Sequence, residues 1–209
     1  MVFKNRTEAG KLLAKALEKY KDKNVIVYAL PRGGVVLGAK VAKRLKATFD
    51  LVIPRKIGHP SEPEFAIAAT AENGQIIENK EETRNISRSW LEEEAKKEQE
   101  EAKRRRWLYL QNKEPVRAED KTAIIVDDGV ATGLTMRAAI LEVKQKKPKK
   151  VVVAVPVIPK ETAQIIKPEV DELISLYTPE EFAGAVGAYY ESFPQITDDE
   201  VIKIMQSLK

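Results

Sequence analysis

The chain has 209 residues, 43% of them hydrophobic, with 36 basic against 32 acidic side chains and no cysteine. That composition suits one domain with an added subdomain and excludes disulfides and thiolate metal sites. The net charge of +4 is too slight to mark a nucleic-acid binder, and the longest apolar run, residues 151–158, is broken by Pro156 and too short to span a bilayer. Lys4, Arg6 and Glu8 precede any apolar stretch, so no signal peptide is read and a cytoplasmic location is expected.

In chain order, Asn5 or Thr7 can cap a first helix with Leu12, Leu13, Ala16 and Leu17 on its buried face. Residues 25–30 read as a buried strand. Residues 35–45 read as a helix with Val36, Ala39, Ala42 and Leu45 inward, and residues 50–53 as a second strand. Residues 66–71 and 75–78 flank Asn73-Gly74, a hairpin signal. Residues 89–111 read as a long helix on which Glu92, Lys96, Glu100 and Arg104 alternate in sign at helical spacing, as on a solvated face. A strand ending at Val126 follows, then a helix with Met136, Ala139, Ile140 and Val143 on one face, and strands over 151–155 and 173–176. Thr178-Pro179-Glu180-Glu181 is a candidate helix start, and a last helix is expected over 198–208. Apolar strands alternating with helices predict an α/β fold: a doubly wound, mostly parallel sheet with the ligand at the carboxyl ends of its strands.

The chemistry concentrates in residues 124–136. A β-branched run ends in Asp127 and Asp128, and Ala131-Thr132-Gly133-Leu134-Thr135 leads into the next helix. Free backbone N–H groups at a helix start bind an anion, aided by the macrodipole. Gly133 permits a close backbone approach, and Thr132 and Thr135 add hydroxyl donors. Carboxylates repel phosphate but suit sugar hydroxyls, which donate, and a divalent cation that arrives with the ligand. The order fits a phosphorylated sugar.

Two further loops follow strands. Pro31-Arg32-Gly33-Gly34 places two glycines and a guanidinium before a helix, and Arg is suited to bidentate phosphate contact. Arg55-Lys56-Ile57-Gly58-His59-Pro60 is either a solvated polar loop or a flexible basic cover; its histidine, the only one in the chain, reads as a surface residue of a turn.

The apolar strand, the acidic pair, the short linker and Thr-Gly-x-Thr together resemble the motif with which type I phosphoribosyltransferases bind 5-phosphoribosyl 1-pyrophosphate (PRPP). The resemblance implies that Asp127 and Asp128 hold the ribose hydroxyls and that Ala131, Thr132, Gly133, Leu134 and Thr135 wrap the 5′-phosphate. The Pro-Arg-Gly-Gly segment is similar to the family's pyrophosphate loop, which implies pyrophosphate contacts from Arg32, Gly33 and Gly34 and a cis or strained bond at Pro31–Arg32. Arg55 and Lys56 resemble the opening of the mobile loop of adenine-type members. The tail from Phe182 to Phe193 loosely resembles the base-binding hood, with Tyr189, Tyr190 or Phe193 stacking on a planar base and core packing as the competing role. Glu191 sits near a family carboxylate that helps hold magnesium. Val186-Gly187-Ala188-Tyr189-Tyr190 extends the likeness, over nearly the whole chain, to a group of predicted phosphoribosyltransferases of bacteria and archaea.

The resemblance implies an enzyme of nucleotide salvage, a homodimer, that moves the phosphoribosyl group of PRPP onto a nucleobase nitrogen with Mg2+ and release of pyrophosphate. Asp127, Asp128, Arg32 and Arg55 are its expected catalytic residues, and Asp127, Asp128 and Glu191 are expected to meet the metal mainly through PRPP and water. Residues 1–177 form the expected core, with an insertion around 66–111, and residues 178–209 the hood and closing helix. The 6-oxopurine members carry an aspartate where Ala131 stands and a base-reading lysine where Ile158 stands; Lys160 substitutes only if the loop differs by a residue or two. A non-catalytic PRPP-binding regulator and a metal-dependent phosphohydrolase are the alternatives.

Overall fold

The computed structural model describes residues 2–111 and 115–208. Its elements follow one another as α1 (Arg6–Ala16), β1 (Val25–Ala29), α2 (Gly33–Leu45), β2 (Thr48–Leu51), β3 (Arg55–His59), β4 (Glu62–Thr70), β5 (Ile76–Glu78), α3 (Arg88–Leu110), β6 (Thr122–Val126), α4 (Leu134–Gln145), β7 (Lys150–Val157), α5 (Lys160–Ile166), β8 (Glu172–Tyr177) and α6 (Asp198–Ser207). The larger sheet has the order β2-β1-β6-β7-β8, every pair parallel.

All five residues of β1 are buried, which a strand achieves only with helices on both faces. Alternation assigns the faces. Val25, Val27, Ile124 and Val126 pack with Leu13, Leu17, Leu37 and Val41 of the α1–α2 layer. Ile26, Tyr28, Ala123 and Ile125 pack with Met136, Ala139, Ile140 and Val143 of α4. Each fully buried Ile or Met contributes about 1.5–3 kcal/mol relative to an exposed one. The chain leaves β1 toward β2 on one side, whereas β6, β7 and β8 build outward on the other. The strand order therefore reverses between β1 and β6, and a crevice opens at their carboxyl ends.

The second sheet, β3-β4-β5, is antiparallel and joins β4 to β5 through Gly74 at φ +75°. Leu91 and Ala95 of α3 cover Ile57 and Ala68, and Ala69 packs on Leu134 and Ala138 of α4. Farther along α3, Ala102, Tyr109 and Leu110 join Leu51, Ile53, Val201 and Met205, so α3 also ties α6 to the main sheet.

Several local expectations are corrected. In α1 the buried face is Ala9, Gly10, Leu13 and Ala14, followed by Leu17, while Leu12 and Ala16 are exposed. Asn5, not Thr7, is the cap, its Oδ1 accepting from the Glu8 N–H at 3.0 Å. In α2 the inward stripe is Val35, Leu37, Gly38, Val41, Ala42 and Leu45, with Val36 and Ala39 at its edge, because Gly38 lets the helix close on Ala29 and Phe49. Strand β2 starts earlier than 50–53, although Val52 and Ile53 stay buried. The expected solvated face of α3 holds, since Glu92, Lys96, Glu100 and Arg104 are all exposed, and ion pairs within the helix are Arg88–Glu92, Lys97–Glu94, Arg104–Glu101 and Arg105–Glu101. No helix starts at Thr178; the next helical element is the short 3₁₀ turn Val186–Tyr189. The last helix carries a capping box between Thr197 and Glu200, as a Thr-x-x-Glu sequence allows. Among the described residues no helix is long and apolar enough to cross a membrane.

Candidate functional site

The loops after β1 and β6 meet at the crevice between those strands. Leu30 donates its N–H to the Val126 carbonyl at 3.0 Å, which carries the β1–β6 pairing up to the acidic pair. The Pro31–Arg32 peptide bond is cis, as expected at this position. Gly33 and Gly34 then press directly on the two carboxylates. A Cβ on Gly33 would fall 1.8 Å from Asp128 Oδ2, and one on Gly34 would fall 2.9 Å from Asp127 Cα and Oδ1. No side chain fits at either place, so the glycines are required by close approach.

Asp127 and Asp128 are half-buried beneath this contact. Burial, together with the neighbouring charge of Asp128, pushes the Asp127 carboxyl well above the usual range. Burial also raises Asp128, against the opposing pull of Arg6. Asp127 Oδ1 accepts from the Asp128 N–H at 2.8 Å. Arg6, in the first turn of α1, is 8% exposed and donates from Nε to Asp128 Oδ2 at 2.7 Å. Two adjacent half-buried acids face one guanidinium, so the pair is poised to take up further positive charge or hydroxyl donors.

The loop after β6 turns into α4 through Gly133 at φ +83°, with Thr162 of α5 donating its hydroxyl to the Ala131 carbonyl at 2.7 Å. Thr132 is exposed, Thr135 half-buried, and the Leu134 side chain turns away to Ala69 and Ala138. The first-turn N–H groups of α2 and α4 therefore rise on either side of the acidic pair, two anion-binding helix starts around one pair of carboxylates. Arg32 Nη1 stands 3.6 Å from Asp198 Oδ1 at the start of α6.

The other expected site residues lie differently. Arg55 and Lys56 are not on a loop: they open β3, paired with Thr70 and Ala69 of β4. Arg55 Nε is bound to Glu98 of α3 at 2.7 Å, and Lys56 to Glu64 at 2.8 Å. With His59 and Trp90 they line a separate cleft of about 230 Å³ between the hairpin and α3. Ile57, facing α3, gives this segment its strand character.

The tail aromatics form a packed layer, so the core-packing role holds for two of them. Tyr189, 7% exposed, stacks on Phe182 with centroids 5.5 Å apart, and its hydroxyl accepts from the Ala183 N–H. Tyr190, 6% exposed, packs on Phe3 and donates its hydroxyl to the Asp128 carbonyl at 2.6 Å. Burial pushes that phenol up. Phe193 is half-buried, and the Arg6 guanidinium lies 3.6 Å over its ring. No face of Tyr189 or Tyr190 is open for a base. Glu191 is exposed, and among the described residues no group of three or more Asp, Glu or His gathers to hold a metal. Ile158 is fully buried, and Lys160 is paired with Glu180 at 2.8 Å.

Sequence reasoning missed Arg6. It pairs with a residue 122 positions away, and a lone arginine in a first turn carries no signal of that partner. Its one trace was the first-turn placement itself, since a cation beside a helix start is unfavourable unless an acid answers it.

The model of a family described as phosphoribosyl transferase domain matches residues 3–190. Two sequences from Mycobacterium tuberculosis strains, each provisionally named a phosphoribosyl transferase, are 35% identical over 206 residues, 98% of this chain. The chain spans 46% of the length of those curated relatives. The crystal structure of TT1426 from Thermus thermophilus shares 39% identity at a TM-score of 0.82, covering 100% of this chain and 99% of that one.

Proposed function

Since the chain belongs to the phosphoribosyl transferase domain family, we propose that it moves the 5-phosphoribosyl group of PRPP onto a nitrogen nucleophile, a nucleobase nitrogen first among them, and releases pyrophosphate. One observation carries the reading: the glycines of the first loop pack on the carboxylates of the second, so that an acidic pair lies between two helix N-termini at the strand-order reversal. A ligand with hydroxyls at its centre and phosphates at both ends has that distribution of charge.

In this reading Asp127 and Asp128 accept from the ribose hydroxyls and favour positive charge developing at the anomeric carbon. The N–H groups of residues 131–135 hold the 5′-phosphate. Those of Gly33 and Gly34, with Arg32 as it leaves Asp198, hold the pyrophosphate. Arg55 joins them only after it leaves Glu98. Positioning and charge stabilisation supply the rate enhancement, and the work of a closing cover is to exclude water. Residues 1–177 act as the PRPP-binding core and residues 178–209 as hood and closing helix. Phe182 and Phe193 are the half-buried aromatics of the hood, and Tyr189 and Tyr190 hold it in place.

Magnesium fits this donor set as a companion of the ligand. Two adjacent carboxylates without a third acidic partner among the described residues match an ion that keeps its waters and binds through one or two carboxylates plus substrate phosphates. When bound, it neutralises charge on the departing pyrophosphate. Asp127 and Asp128 are the residues that would face it. A homodimer is the proposed assembly.

A second reading, a PRPP-binding regulator without catalysis, draws on Ile158. This fully buried side chain stands where 6-oxopurine enzymes read the base, and it has no donor to offer. The experiment is pyrophosphate release from PRPP and Mg2+ across a panel of purine and pyrimidine bases, for the natural protein and for Asp127→Asn/Asp128→Asn. Release with one base, lost in the variant, supports the transferase. PRPP binding without release for any base supports the regulator. Phosphate release without need of PRPP supports a phosphohydrolase and removes both.

A further inference from the structure

Arg6 makes three contacts at once from a nearly buried position. Its Nε reaches Asp128 Oδ2 at 2.7 Å, its Nη1 donates to the Pro194 carbonyl at 2.6 Å, and the plane of its guanidinium lies 3.6 Å over Phe193. These partners belong to two different parts of the chain, the acidic pair after β6 and the tail after β8. Only a planar fork with donors on several edges serves both in one geometry; an ammonium does not. Two neighbouring contacts run in the same direction. Tyr190 of the tail donates to the Asp128 carbonyl at 2.6 Å, and Phe3, just before α1, forms a parallel bridge with Tyr190. Gly33 packs against this same contact: a Cβ there would fall 1.8 Å from Asp128 Oδ2 and 2.9 Å from Arg6 Nε.

We propose that Arg6 is a positioning residue that clamps Asp128 and the tail loop 193–194 together, so that the acidic pair takes its ligand-binding orientation only when the tail is docked. The proposal rests on the PRPP reading for its functional consequence and on geometry alone for the clamp. Arg6 touches neither ribose nor phosphate in it and acts through Asp128. The clamp also gives the tail a route to the reaction: an acceptor that settles against Phe193 presses on the guanidinium that holds Asp128.

The test is a double-mutant cycle on PRPP affinity with Mg2+, using the whole chain and the variants Arg6→Gln, Arg6→Lys, Asp128→Asn and Arg6→Gln/Asp128→Asn. The double variant removes both charges and so avoids leaving one buried and unpaired. Arg6→Gln is expected to weaken PRPP by about tenfold with Asp128 present and by less than about twofold in the Asp128→Asn background. Arg6→Lys, which restores the charge but not the fork, is expected to recover part of the loss. Equal losses in both backgrounds, or none in either, overturn the proposal. Amide hydrogen exchange without ligand reads the clamp separately. Residues 186–194 are expected to exchange faster in both Arg6→Gln and Asp128→Asn than in the natural protein, and unchanged exchange in both variants overturns the clamp. If the natural protein binds no PRPP, the function falls, and the exchange result alone decides the clamp.

Discussion

The crevice between β1 and β6 and the insertion of β3–β5 with α3 are built on opposite principles. At the crevice, contact is steric and tight: two glycines against two half-buried carboxylates, with no space for a methyl group. The insertion adds ion pairs to its apolar contacts. Arg55 binds Glu98, Arg88 binds Glu78, and Arg106 reaches Asp50 and Glu72. Most of these pairs are partly exposed, and such pairs contribute little to stability and break readily. A buried steric contact tolerates no change, whereas an ion-pair attachment can be weakened while the fold persists. The difference teaches where chemistry is fixed and where motion is available.

The largest expected effect is on the steric side. Gly33→Ala puts a methyl group into the space of Asp128 Oδ2 and displaces both the carboxylate and Arg6. Turnover of PRPP, measured as pyrophosphate release, should fall by about a hundredfold, the scale of a small misplacement of reacting groups. Turnover close to that of the natural protein would break the comparison at its firmer end.

Arg106→Ala probes the most buried of these ion pairs. Asp50 is 3% exposed and accepts from Arg106 with both oxygens at 3.0 Å, so the variant leaves a buried carboxylate unpaired. Chemical unfolding should show a loss of about 3 kcal/mol. A loss below about 1 kcal/mol would mean that water reaches Asp50.

A smaller effect depends on pH. Burial pushes the Glu72 carboxyl up to about 7, against the opposing charge of Arg106. A carboxyl that titrates higher folded than unfolded favours the folded state at low pH and costs stability as pH rises through its folded value. Glu72→Gln should therefore be more stable than the natural protein at about pH 8.5 by about 1–2 kcal/mol and no more stable at about pH 4. The opposite ordering would show that the pairing with Arg106 outweighs desolvation.

The smallest effect is expected from Glu98→Gln, which frees Arg55. Both side chains are part-exposed, so stability should change by less than about 1 kcal/mol. PRPP turnover should change by a few-fold at most, in the direction that tells whether the ion pair restrains Arg55 or merely parks it.

Legibility in the sequence follows the range of the interactions. The β6 strand, the acidic pair and the inward face of α4 are readable because their pattern is local: a continuous β-branched run, then spacings of three and four. The hairpin is readable through Asn73-Gly74. The inward stripe of α2 escapes a sequence reading because Gly34 and Gly38 count as buried only once the helix meets its partners at close range. Arg55 and Lys56 read as loop because their charges mask a strand held by one apolar residue, Ile57, under α3. For Tyr189 and Tyr190 composition offers stacking and packing equally, and only the partners Phe3, Phe182 and Asp128 decide. The role of Arg6 leaves only its first-turn placement as a trace, because its partner lies 122 positions away.

The most direct test of the central claim, that glycine loop and acidic pair form one site, is equilibrium binding of PRPP with Mg2+ by titration calorimetry. The natural protein, Gly33→Ala and Asp127→Asn/Asp128→Asn should be compared at matched folded fraction. One PRPP per chain, with affinity lost in both variants, is the predicted result. Binding as tight in both variants as in the natural protein would contradict it.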